Sequence, residues 1–230
     1  MHKTHIEFGP YYSEGYLQDV KKSMITLARY KFASKMLEYK ENLKVLELGC
    51  NEGVGAYFFM QMANCDAYVG VDIDENNLYW ANQKVKPHKE IYGKKAEFIQ
   101  GDITSKEHIY LAGEYSAVIC LDVIEHIDST KENNVLDTIT DNLQHDGVAV
   151  IGTPNLQMKQ YQSIETQKVH VNMFDAERLY KFMNSRFKNV FIFGMNDEVV
   201  HTGFTPMDCY LFALCCNIEG GGVKQNGRAG

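Results

Sequence analysis

The sequence predicts an α/β fold: a mostly parallel sheet of seven strands with helices on both faces, an antiparallel C-terminal strand and an N-terminal helical cap. Three observations predict it. Short apolar runs rich in β-branched residues recur between amphipathic stretches, the rhythm of βαβ units. A Gly-rich turn joins the first run to a helical pattern. Acidic residues close successive runs, at the carboxyl ends of strands where open α/β sheets bind ligands.

Each element follows in order. Glu14–Glu38 reads as one or two helices, with Leu17, Val20, Met24 and Leu27 on a common face. Strands are expected at Lys44–Leu48, Ala67–Val71, Ala96–Ile99, Ser116–Leu121 and Val148–Ile151. Between them, helical patterns occupy Val54–Ala63, Glu75–Lys84 and Thr130–Leu143, the last with Leu136, Ile139 and Leu143 on one face. Asp175 can cap a later helix that buries Leu179, Phe182 and Met183. Asn189–Phe193 and Cys209–Cys216 complete the seven strands and can pair as a terminal antiparallel element. The expected organisation is a cap over 1–42, a body over 43–216 with a substrate-facing insertion near 155–174, and a flexible Gly-rich tail over 217–230.

Composition bounds the function. The chain has 230 residues, 23 Lys+Arg and 30 Asp+Glu, for a net charge of −7. A sequence-independent nucleic-acid binder needs a surplus of cations to neutralise phosphates, so no nucleic-acid partner is expected. The 6 cysteines show neither C-x-x-C pairs nor zinc spacing, which fits reduced thiols in a cytoplasmic protein. There is no signal-like segment and no membrane-length apolar run.

The chemistry is concentrated in Val45–Gly55, VLELGCNEGVG. A Gly-rich turn between strand and helix lets the backbone approach a ligand and aims helix-start N–H groups at it. A dinucleotide site would want G-x-G-x-x-G. Here Gly49, Asn51 and Gly53 break that spacing, and Glu47 suits a cationic ligand better than a pyrophosphate. Asp72, Asp102 and Asp122 end the second, third and fourth strands. A carboxylate at the second can accept both hydroxyls of a ribose.

These motifs, over roughly Lys44–Asn155, resemble the class I S-adenosylmethionine-dependent methyltransferases, whose fold is Rossmann-like. VLELGCNEG is similar to their first motif with Asn51 in place of a glycine, VGVDID to the second-strand motif, QGDI to the adenine segment and CLDVIEHI to the segment after the fourth strand. The resemblance implies S-adenosyl-L-methionine as cofactor. It implies Glu47 and Gly49 beneath the methionine moiety, with Asn51 and Gly53 in the same turn. It further implies Asp72 on the ribose, Ile73 and Ile103 around the adenine, Asp102 on its amino group and Asp122 nearby. Arg29 matches an arginine that binds the cofactor carboxylate in some of these enzymes.

GTPN and VHVNMFD look like segments of enzymes that methylate sugars and quinone precursors. The expected reaction is therefore methyl transfer to a hydroxyl of a small molecule, with a sugar or glycan precursor as the leading acceptor. Alternatives are N-methylation of an amine and a catalytically silent cofactor-binding protein. Deprotonating an alcohol calls for a base titrating near neutrality, and His170, His126 and His201 are the candidates in that order. No dedicated metal cluster is evident, so metal-independent transfer is expected. Phe8, Tyr11, Tyr12 and Tyr16 form either a lid or an anchor for the helix. The partner expected is the acceptor itself, and the chain is compatible with a homodimer.

Overall fold

The computed structural model describes residues 8–84, 94–105 and 114–219. Helices α1 (Pro10–Gln18) and α2 (Val20–Lys35) precede β1 (Lys44–Leu48), α3 (Gly55–Gln61), β2 (Ala67–Asp72), α4 (Glu75–Lys84) and β3 (Lys95–Gln100). Next come β4 (Tyr115–Leu121), α5 (Glu132–Asn142), β5 (Leu143–Pro154), α6 (Ile164–Val169) and α7 (Ala176–Asn184). Strands β6 (Phe187–Asn196), β7 (Val199–His201) and β8 (Tyr210–Ile218) finish the described chain.

The strands form one sheet in the order β3-β2-β1-β4-β5-β8-β6-β7. The pairs β2·β3, β1·β2, β1·β4 and β4·β5 are parallel. By contrast β8 runs antiparallel to both β5 and β6. Alternation along the strands explains burial on both faces. Val45, Tyr68, Ile119 and Phe212 pack with α2 and α3 residues such as Tyr30 and Phe59. Their neighbours Leu46, Val69, Val118 and Leu211 pack with Leu136 and Ile139 of α5 and Leu179 and Met183 of α7.

Three expectations change. The sheet has eight described strands, because a three-residue β7 pairs with the end of β6 as a hairpin. It is too short to carry an alternation signal. The stripe Leu17, Val20 and Met24 is exposed, and only Leu27 of that set packs on the core. Helix α2 instead buries Tyr30, Ala33 and Ser34, because α1 and α2 break at Asp19, whose side chain accepts from Lys22 N and starts a new helix. The strand β8 extends to Ile218, two residues into the expected tail; residues 220–230 of that tail lie outside the described residues.

Order in the chain sets up the site. Strand β1 pairs with β2 on one side and β4 on the other, so the connections diverge at its carboxyl end, the switch point where such sheets bind ligands. Residues 155–174 form a loop closed at its base, where Asn155 bridges Phe174 and Leu156 N donates to Phe174 O at 2.8 Å.

Candidate active site

The turn after β1 is built from left-handed residues. Gly49, Asn51 and Gly53 have φ of 78°, 49° and 79°. A Cβ at Gly49 would strike Val123, and one at Gly53 would strike the Phe98 ring. Asn51 tolerates its conformation because a short polar side chain can bond locally: its Oδ1 accepts from Glu52 N at 2.6 Å. The Asn51 N–H donates to Asp72 Oδ2 at 2.7 Å. The departure from glycine therefore costs little, and the turn is tied to the end of β2.

Beyond this turn opens a cavity of about 740 Å³, a size ordinary for a cofactor with part of a substrate. Of the residues expected to hold a cofactor, Arg29, Gly49, Asn51, Asp72, Ile73, Asp102, Ile103 and Asp122 line it. Asp72 also accepts from Asp74 N, and Asp102 Oδ1 accepts from the backbone and hydroxyl of Thr104; these bonds fix both carboxylates. Tyr11 and Tyr12 of α1 line the cavity, whereas Phe8 and Tyr16 are exposed.

Glu47 and Gly53 are not on the wall. Glu47 is buried beneath the turn, where Oε2 accepts from Tyr68 OH at 2.5 Å and Oε1 makes no hydrogen bond of ordinary geometry to the described residues. Burial pushes its carboxyl up to about 7. A Cβ at Gly55 would collide with that carboxylate. Arg29 reaches the wall but is engaged: Nη1 bonds both oxygens of Asp122 at 2.7 and 2.8 Å, and its guanidinium lies 3.9 Å over the Tyr210 ring. Asp122 holds this place with φ of 57°.

The three histidines separate. His201 sits on β7 away from the cavity, with Nε2 3.2 Å from Asn196 Nδ2 and 3.6 Å from the buried Asp208. His126 and His170 both line the cavity with rings edge to face, centroids 4.9 Å apart. Glu125, which sequence reasoning missed, joins them: one ligand atom from each of Glu125, His126 and His170 lies within 4.8 Å of the others. The signal was the acid–histidine pair in CLDVIEHI, but nothing in the sequence placed His170 beside it.

Local structure explains the convergence. After β4 the chain turns through the short helix Ile124–His126, which buries Glu125 and exposes His126. Glu125 Oε2 accepts from Thr153 OH at 3.1 Å, and burial, then the nearby Asp122, raises its carboxyl above the usual range. The Asn172 N–H donates to Glu125 O at 3.0 Å. Arg178 braces the segment from behind, donating to Glu132 at 2.5 Å, Asn172 Oδ1 at 2.8 Å and Met173 O at 2.9 Å. His126 Nδ1 lies 3.0 Å from Val169 O. A carbonyl only accepts, so Nδ1 carries the proton and Nε2 keeps its lone pair. Burial and His126 push His170 below its ordinary value, favouring the neutral ring.

Two imidazoles, one exposed and one half-buried, and a buried carboxylate make a donor set that fits one divalent cation with open positions. Metal-independent transfer was expected because no dedicated cluster is evident in the sequence; the fold brings His170 to the adjacent Glu125 and His126 from forty-four positions away.

A β3-β2-β1-β4-β5 parallel core with antiparallel strands beyond it, and a cavity at the β1/β4 switch point, define a class I, Rossmann-like methyltransferase. A family described as a methyltransferase domain matches residues 19–186, and the chain belongs to it. Its cofactor is S-adenosyl-L-methionine. The cavity fits that molecule, with a fixed carboxylate at the end of β2 and Ile73 and Ile103 bordering the same space. Among curated proteins, the chain is similar to small RNA 2'-O-methyltransferases of Mus musculus and Rattus norvegicus, each 24% identical over 135 residues, or 56% of this chain. The match spans about a third of those relatives, 33% and 34%. Among solved structures, the methyltransferase domain of bacterial CtHen1-C has a TM-score of 0.67 at 16% identity, covering 84% of this chain and 99% of that one. A TehB-like methyltransferase from Corynebacterium glutamicum has 0.62 at 16%, covering 91% and 100%. These likenesses establish the fold. No helix among the described residues is long and apolar enough to cross a membrane.

Proposed function

We propose that this chain transfers a methyl group from S-adenosyl-L-methionine to a sugar hydroxyl with the help of one divalent cation, and that a ribose hydroxyl at an RNA end is the acceptor to test first. The observation that carries the reading is the Glu125–His126–His170 cluster on the wall of the cofactor cavity. The curated relatives are named for 2'-O-methylation of small RNA, which supports a ribose as the sugar.

Each residue has a task. Asp72 accepts from the cofactor ribose, Ile73 and Ile103 flank its adenine, and Asp102 faces the adenine amino group. The left-handed turn at Gly49 and Asn51 brings backbone close to the methionine end. Arg29 holds Asp122 and keeps two neighbouring acids, Asp122 and Glu125, from repelling the site open. Glu125, His126 and His170 would hold the cation, which would supply a Lewis acid that makes an adjacent hydroxyl easier to deprotonate. Methyl transfer is an in-line displacement, so fixing acceptor and cofactor in one cavity supplies much of the rate.

A second reading rests on charge. The net −7 suits a free sugar or other small acceptor better than a long polyanion, and the neutral His170 would then serve as general base. Labelled cofactor should be incubated with RNA ending in a free ribose, with periodate-treated RNA and with free sugars, each with manganese or with a chelator. Transfer to intact RNA that the chelator abolishes is expected. Transfer to free sugars that survives chelation would establish the second reading.

A further inference from the structure

Serving as cation ligand or as base, His170 needs a lone pair on the nitrogen that the protein leaves open. Its Nδ1 lies 3.0 Å from the side-chain Nε2 of Gln162, and its Nε2 has no protein partner among the described residues. Gln162 Oε1 is buried with no hydrogen-bond partner among the described residues. If Gln162 Nε2 donates to Nδ1, the neutral ring must be protonated at Nε2, with no lone pair to offer there. The two ends of an amide are equal in size, and half a turn about χ3 exchanges them. Oε1 then accepts from Nδ1–H, and Nε2 gains the lone pair. His126 already has this tautomer, imposed by the Val169 carbonyl.

We propose that Gln162 is a positioning residue for His170: its Oε1 accepts the Nδ1 proton, sets the ring's orientation and directs the Nε2 lone pair to the site. A cation on Nε2 polarises the ring and strengthens the Nδ1–H donor, so occupancy and this amide orientation support one another. The residue is held in place independently of His170. The Gln162 backbone N–H donates to Lys159 O at 3.2 Å, and its carbonyl accepts from the Gln167 side chain at 3.1 Å. Replacing the Gln162 side chain therefore leaves the turn's own bonds intact.

The inference rests on the cation-assisted reading for one readout and stands apart from it for the other. The first titrates manganese chloride alone into the full chain and follows free Mn²⁺ by electron paramagnetic resonance. Gln162→Leu should weaken binding about 10–100-fold, and Gln162→Glu, which keeps an acceptor, should restore it; both should unfold within a few degrees of the parent. Equal affinity of parent and Gln162→Leu overturns the proposal. Absence of Mn²⁺ binding by the parent overturns the cation reading instead. The second readout, nitrogen-15 shifts of His170 in the metal-free protein at a pH where the ring is neutral, then decides. A proton on Nδ1 in the parent that redistributes in Gln162→Leu and returns in Gln162→Glu upholds the positioning role. A proton on Nε2 in the parent, or a pattern indifferent to residue 162, refutes it.

Discussion

At the scale of single residues, Glu47 sits in an environment unlike the one its sequence position suggests. It points beneath the turn, one oxygen making no hydrogen bond of ordinary geometry to the described residues, and burial raises its carboxyl from 4.5 to about 7. The folded state therefore holds this proton more firmly than the unfolded chain does. Its contribution to stability is complete below about pH 4.5 and is lost as pH rises through about 7. A displacement of that size is worth on the order of 3 kcal/mol. Urea midpoints should fall between pH 5 and pH 8 more steeply for the parent than for Glu47→Gln, which cannot ionise. Identical pH slopes for the two would show that the carboxyl titrates normally. The sequence marked Glu47 as acidic and near the turn, but its depth depends on Tyr68, twenty-one positions away, and on the missing Cβ at Gly55.

At the scale of elements, local signals were legible and remote ones were not. Asp175 was readable as a helix cap, and its Oδ1 accepts from Arg178 N at 2.8 Å. Asp175→Ala should lower stability by about 1 kcal/mol, measured by chemical denaturation. Helix α1 shows the opposite case. Its own N-cap is Gly9, which has no side chain to offer. Glu52, 4% exposed, caps it from across the chain, accepting from Tyr11 N at 2.9 Å and Tyr12 N at 3.3 Å. The carboxylate also meets the positive end of the helix dipole. Because Glu52 follows Asn51 in the Gly-rich turn after β1, it fastens the two cavity-lining tyrosines to that turn. Glu52→Ala should speed amide exchange at Tyr11 and Tyr12 by an amount equivalent to about 1.5–3 kcal/mol, the worth of bonds to a charged acceptor. It should also weaken cofactor binding in calorimetry. Unchanged exchange would show that α1 is held by its apolar contacts instead. The spacing of Leu17, Val20 and Met24 suggested a buried face for the same region, and the break at Asp19 turns that face to solvent. Periodicity predicts a face only while the helix is continuous.

At the scale of the whole molecule, the net charge of −7 and the small RNA relatives make opposing demands, and salt dependence can separate them. Lys22 and Arg29 line the cavity, and Arg29 already serves Asp122. Four acids, Asp72, Asp102, Asp122 and Glu125, share that wall. A long RNA laid across such a surface would meet repulsion, whereas a chain end entering the cavity would need few phosphate contacts. Each neutralised phosphate of a single strand contributes about −0.7 to the slope of log affinity against log salt. Recognition of a terminus through one or two phosphates therefore predicts a slope between about −0.7 and −1.4 in filter binding with cofactor product present. A slope steeper than about −4 would require six or so phosphate contacts, more cations than this cavity offers, and would place the RNA on another surface. No measurable RNA binding, alongside turnover of a free sugar, would assign the acid-lined cavity to a small neutral acceptor.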